Sequence, residues 1–341
     1  MATVISILGA LIVLSVLVFF HELGHYGMGR LLKFRIMEFA IGMGPVLLKK
    51  VKNGIQYSIR ALPIGGMCRF YGEDEGVSDS ECFNAQKPWK RILVVIAGPI
   101  MNILFALIFA SVTLMTYGDY VPQIASFEED SPAREAGIRE GDIIYAIDGD
   151  RIDYFNETVG KIRAADGESA VITLERGEEI IEITVHDMYD AEKGYNYLGI
   201  SIQAARKQYA FFPAVGHSFT YVTSVIEETL GALKNTFVNG FKSDQWMGPF
   251  QIINTIATAV RSSFETVLRL AVLLSISLGL MNILPIPALD GGRLVFLIIE
   301  WIRGKPIAPE KEGMVHLIGM VLLLGFIIYL SVVDIIAIVG G

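Results

Sequence analysis

The segment Val18-Phe19-Phe20-His21-Glu22-Leu23-Gly24-His25-Tyr26 closes an apolar run without charged residues that begins at Met1. On a helix, residues four apart lie on one face, so His21 and His25 can present two imidazoles to one metal ion. Glu22 lies one step round the helix, where its carboxylate can accept a proton from water beside that metal. The pattern therefore predicts two metal ligands and a general base. The alternative is a pair of helix histidines in a polar patch.

The composition is typical of a membrane protein. Hydrophobic residues make up 52% of the 341-residue chain, charged residues only 19%, and the mean hydropathy is +0.50. A helix needs about 20 apolar residues to cross a bilayer, and four windows are long enough. They are 1–20, 92–117, 270–289 with a continuation towards Ile299, and 315–333. The first window has no basic leading region and no small-residue cleavage site, so we expect it to remain as a span.

The charges predict an orientation in the membrane. Residues 30–91 carry 11 Lys and Arg against 6 Asp and Glu, whereas residues 118–263 carry 12 against 23. Short basic loops stay in the cytoplasm, so we expect a cytoplasmic 30–91 loop, an extracytoplasmic N-terminus and an extracytoplasmic acidic segment. The catalytic pattern then lies near the cytoplasmic side. Cys68 and Cys82 both fall in the basic loop, where an isolated thiol pair is more often inert than a zinc site.

A catalytic zinc needs three protein ligands, and the third window offers a candidate. Asp290, in the stretch Asn282-Ile-Leu-Pro285-Ile-Pro287-Ala-Leu-Asp290-Gly-Gly-Arg293, is a carboxylate within an apolar run. A charged residue at mid-membrane costs roughly 2.5–3.5 kcal/mol on insertion scales. A divalent ion shared with Glu22 and the histidines would offset that cost. The alternative is an Asp290–Arg293 ion pair at a helix end.

Polar and helix-breaking residues occur in the spans, and a strand pattern follows the first span. Gly98-Pro99-Ile-Met-Asn102 places a breaker and an amide in the second window, facing either a cavity or a packed neighbouring helix. Pro285 and Pro287 should break the third window, with Asn282 bonding the groups they free. Alternation in Gln56–Leu62 predicts a strand that ends at Pro63 and Gly65-Gly66, within a β-hairpin near the metal helix.

The acidic segment contains a soluble module. The string from Ser131 to Ile144, SPAREAGIREGDII, followed by Ile147-Asp-Gly149, resembles a bacterial PDZ domain. PDZ domains bind extended peptide ends along a sheet edge, but this one could instead be a size filter or a spacer. We expect domains at 1–117 (two spans and the hairpin loop), 118–190 (PDZ), 191–263 (linker and interfacial helices) and 264–341 (two spans).

Together, HELGH, GPIMN and NILPIPALDGG resemble the site-2 protease family of intramembrane zinc metalloproteases. The single PDZ-like insertion and the loop GIQYSIRALPIGG are similar to the bacterial RseP-like regulators of sigma factors. The resemblance implies Zn²⁺ bound by His21, His25 and Asp290, with Glu22 as general base. It also implies that Asn102, Asn282 and Pro285 line the site, and that the hairpin after Pro45 receives substrate as an added strand.

We therefore expect a polytopic α-helical membrane protein with about four transmembrane helices, a membrane-associated β-hairpin and an inserted α+β PDZ domain. The expected function is regulated intramembrane proteolysis in the inner (plasma) membrane. Its substrates would be single-pass proteins, such as pre-trimmed anti-sigma factors and signal-peptide remnants. We expect a lipid bilayer as surroundings, a peptide C-terminus as a candidate PDZ ligand, and no nucleic acid. The alternatives are a membrane-bound PDZ adaptor and a metal transporter.

Overall fold

The computed structural model describes residues 2–73, 79–152, 155–165, 169–177, 179–190, 194–241 and 246–340. Its helices are α1 Ala2–Leu31, α2 Pro88–Thr116, α3 Pro132–Glu135, α4 Thr158–Ala164, α5 Phe211–Asn239, α6 Pro249–Ser262, α7 Phe264–Ile283, α8 Asp290–Arg303 and α9 Pro309–Gly340. Its strands are β1 Ile36–Lys52, β2 Ile55–Phe70, β3 Asp119–Phe127, β4 Ile143–Ile147, β5 Asp150–Arg151, β6 Ala170–Arg176, β7 Glu179–Val185, β8 Tyr189–Asp190, β9 Tyr195–Asn196 and β10 Ile200–Lys207.

These elements form two compact units, one of residues 1–110 with 225–341 and one of residues 111–224. Within the described residues, four helices are long and apolar enough to cross a membrane, over Val4–Leu31, Pro88–Thr116, Phe264–Ile283 and Glu310–Ala337. Each matches one of the four predicted windows. The first extends about ten residues beyond the predicted end, so His21 and His25 lie well inside α1 rather than at its terminus.

Two predictions about helix breaks have different outcomes. The third window does end early, because α7 stops at Ile283, before Pro285 and Pro287. The expected continuation towards Ile299 is therefore wrong as a single span, and α8 is a separate helix. Pro99, in contrast, lies inside an unbroken α2. Gly98 and Pro99 thus do not break that helix.

The hairpin is longer than the sequence predicts. Strand β2 continues past Pro63 and Gly65-Gly66 to Phe70, so the predicted end there is wrong. Residues 36–41 of β1 pair with residues 66–70 on one side, and residues 38–41 also pair with residues 56–59 on the other. Residues 46–52 pair with residues 55–60. The two strands are therefore bent, at positions where Gly42, Gly44 and Gly65 have positive φ, and they form a small sheet rather than a simple hairpin.

The second unit is built on one sheet with strand order β10-β3-β4-β6-β7, and β5 pairs with β4. Apolar residues of these strands form its core together with two residues from the segments between strands, Met188 and Leu198. The strand residues are Ile124, Ile144, Ile172, Leu174 and Val185, and all seven side chains are at most 1% exposed. Strand β10 lies beyond residue 190 yet pairs along its whole length with β3. The predicted module boundary at residue 190 is therefore too early, because β10 supplies an edge strand of the sheet.

Candidate metal centre

Three side chains from α1 and α8 converge on one point. His21 and His25 are buried, and their Nε2 atoms lie 3.3 Å apart. Asp290, the first residue of α8, places Oδ2 3.1 Å from Nε2 of His21 and 3.3 Å from Nε2 of His25. The structure thus brings together the three residues that the resemblance implies as ligands. Among the described residues they form a group able to hold a metal ion.

The spacing of the three donor atoms fits a zinc ion. Zinc bonds to nitrogen and oxygen are about 2.0–2.2 Å long, so two donors of a tetrahedral site lie about 3.3 Å apart. The observed separations are 3.1–3.3 Å. Two imidazoles and one carboxylate are also the donor types of catalytic zinc sites, which keep a fourth position open. The residues present therefore fit the metal.

Both imidazoles are oriented by the second helix. Nδ1 of His25 donates to the carbonyl of Val94, 2.9 Å away, which leaves Nε2 with a free lone pair. Nδ1 of His21 faces the amide of Asn102 at 3.2 Å. Within the described chain, the buried Oδ1 of Asn102 has no hydrogen-bond partner. Turning the amide so that Oδ1 accepts the Nδ1 proton satisfies that oxygen and frees Nε2 of His21 for the metal.

A close approach between helices makes this arrangement possible. A Cβ atom at Gly98 of α2 would lie 2.3 Å from Nε2 of His25 and 2.9 Å from Cε1 of His21. Only glycine leaves room for the two rings at this position. The sequence predicts Gly98 only as a helix breaker and does not reveal this role. The available signal was a glycine within an apolar span that also carries Asn102.

Glu22 lies beside the same point but contacts the hairpin. It lines a cavity of about 250 Å³ together with His21, His25 and Asp290 and residues of β2 and α2. The backbone N–H of Cys68 donates to its carboxylate. A Cβ atom at Gly66 would lie 2.7 Å from Cγ of Glu22. Strand β2 therefore holds Glu22 in place with one hydrogen bond and one close contact, and neither could be foreseen from the His-Glu-x-x-His pattern.

The remaining predicted site residues differ in their placement. Nδ2 of Asn282 lies 3.5 Å from Nε2 of His21, close to the convergence point. Pro285 is exposed in the loop between α7 and α8. The alternative of an Asp290–Arg293 ion pair is wrong, since Asp290 faces the two histidines while Arg293 pairs with Glu73. Cys68 and Cys82 are not joined in a disulfide.

Residues 9–326 match Peptidase family M50. The chain belongs to this family. A putative zinc metalloprotease from Clostridium perfringens is 34% identical over 97% of this chain and 98% of its own length. Another from Clostridium acetobutylicum is 32% identical over 92% of each chain. The zinc metalloprotease RasP from Shouchella clausii is 31% identical over 92% of this chain and 94% of its own length.

Membership of the M50 peptidases confirms several predictions. The chain is a zinc metalloprotease, its cofactor is Zn²⁺, and its apolar helices make it a multi-pass membrane protein. Among solved structures, it is similar to the PDZ domain of an SdrC-like protein from Listeria innocua, with 26% identity over 25% of this chain and 97% of that domain and a TM-score of 0.22.

Proposed function

We propose that this M50 peptidase hydrolyses peptide bonds within the transmembrane segments of single-pass membrane proteins. The observation that carries the proposal is the convergence of His21, His25 and Asp290 on one point inside the first unit, which contains three of the apolar helices and most of α2. A metal centre at that position acts on chains that reach it from the bilayer.

His21 and His25 would hold the zinc through their Nε2 atoms, and Asp290 through a carboxylate oxygen. Bound zinc supplies Lewis acidity, which makes water nucleophilic at neutral pH and polarises a carbonyl. Glu22 accepts the proton of the attacking water and later returns it to the leaving amine. The hydrogen bond from Cys68 and the contact with Gly66 keep its carboxylate facing the reacting atoms.

Asn102, Asn282 and Pro285 line the site in this proposal. Asn102 orients His21, and Asn282 offers a donor near the scissile carbonyl. Their amides give water a polar path to the centre. Pro285 keeps the chain between α7 and α8 out of helical geometry, which leaves room for an extended substrate.

The hairpin presents the substrate as an added strand. Residues 66–70 of β2 pair with β1 on one side, and residues of the same segment line the catalytic cavity. A substrate helix must unwind locally because its own hydrogen bonds shield its carbonyls. Pairing with this edge replaces those bonds while the scissile carbonyl approaches the zinc.

The second unit acts as a PDZ domain on the extracytoplasmic side. Support comes from a cavity of about 100 Å³ between α4 and the edge strand β10, lined by Val159, Ile162, Tyr197, Leu198, Ile200 and Ile202. An extended peptide end fits such a groove as an added strand. The domain either captures the trimmed end of a substrate or excludes untrimmed proteins by size. Pre-trimmed anti-sigma factors and signal-peptide remnants are the substrates we propose.

Cleavage of a model single-pass protein in detergent tests the proposal. We expect wild type to cut within the transmembrane segment and Glu22→Gln to lose at least 100-fold in rate while binding zinc. Glu310→Gln, at an exposed position on the first turn of α9, is the matched control and should cut normally. Cleavage by Glu22→Gln at the wild-type rate would remove Glu22 from its catalytic role.

A further inference from the structure

The fourth apolar helix reaches the loop that precedes Asp290. Nδ1 of His316, on α9, accepts a hydrogen bond from the backbone N–H of Ala288 at 3.1 Å. The other ring nitrogen, Nε2, lies 3.9 Å from a carboxylate oxygen of Glu312, one turn earlier on the same helix. The ring also packs on Phe296 of α8, with centroids 5.6 Å apart. Because Nδ1 accepts this hydrogen bond, its lone pair points at Ala288, and the ring proton of the neutral imidazole lies on Nε2.

Ala288 has a backbone conformation that its side chain disfavours. Its φ is +80°, in the left-handed region that glycine adopts readily and alanine rarely. A non-glycine residue persists there only when its surroundings hold it. The hydrogen bond to His316 is such a restraint, because it fixes the direction of the Ala288 N–H.

A second contact from α9 holds the same turn. A Cβ atom at Gly319 would lie 2.3 Å from Cβ of Pro287, so the absence of a side chain lets α9 approach the loop closely. His316 and Gly319 are three residues apart and therefore lie on one face of α9. That face presses on two consecutive residues, Pro287 and Ala288, immediately before the start of α8.

The turn determines where Asp290 points. Asp290 follows Ala288 by two residues and is the first residue of α8. Its Oδ2 lies within 3.3 Å of both histidine Nε2 atoms. Rotation of the backbone at Ala288 would displace this oxygen from the two nitrogens, which belong to a different helix.

We propose that His316 is a positioning residue for the zinc centre: it holds Ala288 in the left-handed conformation and thereby fixes Asp290 as the third ligand. This inference rests on the proposed role of Asp290. It gives α9 a function in metal binding that the His-Glu-x-x-His pattern and the LDGG segment do not assign.

The zinc dissociation constant of the detergent-solubilised full chain, measured by competition with a chelator, tests the inference. Removal of an outer-shell partner typically weakens metal binding 10–100-fold. We expect His316→Leu to weaken zinc binding at least tenfold. In His316→Asn, Oδ1 can take the place of Nδ1 as acceptor, so binding should stay within about threefold of wild type.

A second substitution distinguishes an effect on the turn at Ala288 from a general loss of stability. Ala288→Gly removes the penalty of the positive φ. On its own it should leave the zinc affinity within about twofold of wild type. Combined with His316→Leu, it should recover most of the lost affinity. Leu317→Ala, an exposed neighbour on α9, is the control and should bind zinc as wild type does.

Wild-type affinity in His316→Leu would overturn the inference, and so would a double variant that binds zinc as poorly as His316→Leu alone. Asp290→Ala distinguishes failure of the inference from failure of the proposed function. If Asp290→Ala loses zinc while His316→Leu does not, only the role of His316 is wrong. If Asp290→Ala binds zinc as wild type does, the ligand assignment fails, and the inference fails with it.

Discussion

Gly98 sets how closely α2 can approach the two histidines of α1. At this distance the Val94 carbonyl and the Asn102 amide reach the Nδ1 atoms and orient both rings. A metal centre depends on such outer partners as well as on its ligands, because they select the imidazole tautomer. The second helix therefore contributes no ligand of its own but determines the geometry of two.

We predict that Gly98→Ala abolishes stoichiometric zinc binding. The added Cβ would lie 2.3 Å from Nε2 of His25, so one ring or the whole of α2 must move. Zinc content of the purified protein is the measurement. Gly27→Ala is the matched control, because its Cβ would meet no atom within 4 Å and alanine favours a helix. Equal zinc content in the two variants would contradict this account.

The sequence indicated His21, Glu22, His25 and Asp290 because each carries chemistry that is costly in an apolar run. It did not indicate the Cys68 N–H or the space at Gly98. Nearly every residue carries a backbone N–H, so the residue type does not show which of them donates to a side chain. A glycine within a span likewise has several structural explanations. Such contacts depend on the distance between elements, which a single sequence does not contain.

At the scale of elements, the buried carboxylate of Asp142 stabilises the turn Arg139-Glu-Gly-Asp142, which lies between α3 and the sheet. Its carboxylate accepts the Arg139 N–H at 2.8 Å and the Arg176 guanidinium at 2.7 and 2.9 Å. Burial raises the pKa of this carboxyl, but the two arginine contacts outweigh that effect and hold the pKa below its ordinary value. The contacts join the turn to β6.

We predict that Asp142→Asn lowers the stability of the sheet by about 1.5–3 kcal/mol, the value of hydrogen bonds to a charged group. Faster hydrogen exchange in β3, β4 and β6 of the full chain is the measurement. The control is Asp130→Asn, at an exposed position. Because the folded pKa lies below the unfolded value of about 3.9, this contribution is complete above that pH and is lost as pH falls through the folded pKa. Similar hydrogen exchange in Asp142→Asn and Asp130→Asn at pH 7 would refute the predicted loss of stability.

Helix α6 is held by a buried carboxylate from α9. The two oxygens of Asp334 accept the N–H groups of Gly248 at 3.2 Å and Gln251 at 3.0 Å, at the start of α6. No residue of α6 itself provides this cap, since its N-cap is Gly248. Unsatisfied amides in an apolar environment are costly, so the contact anchors a helix that packs against α1 through Ile256 and Ala257.

We predict that Asp334→Ala exposes the first turn of α6. Loss of a capping side chain costs about 1 kcal/mol, which corresponds to roughly fivefold faster amide exchange over residues 248–252. Asp334→Asn retains one acceptor and should have a smaller effect. Unchanged exchange in Asp334→Ala, with peptides of α9 as internal reference, would show that the cap has no energetic role.

At the scale of the whole molecule, the four apolar helices could be predicted because each is a long unbroken run. The extent of the sheet in the second unit could not be predicted. Strand β10 follows a stretch without strong alternation, and its place beside β3 is a long-range pairing that local sequence does not specify. The pairing of β1 with both halves of β2 could not be predicted either, because local sequence does not specify it.

We predict that the second unit lies outside the cytoplasm, as the excess of basic residues in the 30–91 loop indicates. Glu140→Cys and Lys52→Cys introduce thiols at exposed positions of the two segments. In intact cells, a membrane-impermeant maleimide should label Glu140→Cys above the background of the native thiols and should label Lys52→Cys only after lysis. The reverse pattern would invert the proposed orientation.

The most direct test of the metal centre is the zinc content of three purified proteins: wild type, Glu22→Gln and Asp290→Ala. We expect about one zinc per chain in wild type and in Glu22→Gln, and a large loss in Asp290→Ala, because we propose Asp290 and not Glu22 as a ligand. Full zinc occupancy in Asp290→Ala would contradict the proposed metal centre, since the third ligand would then lie elsewhere in the chain.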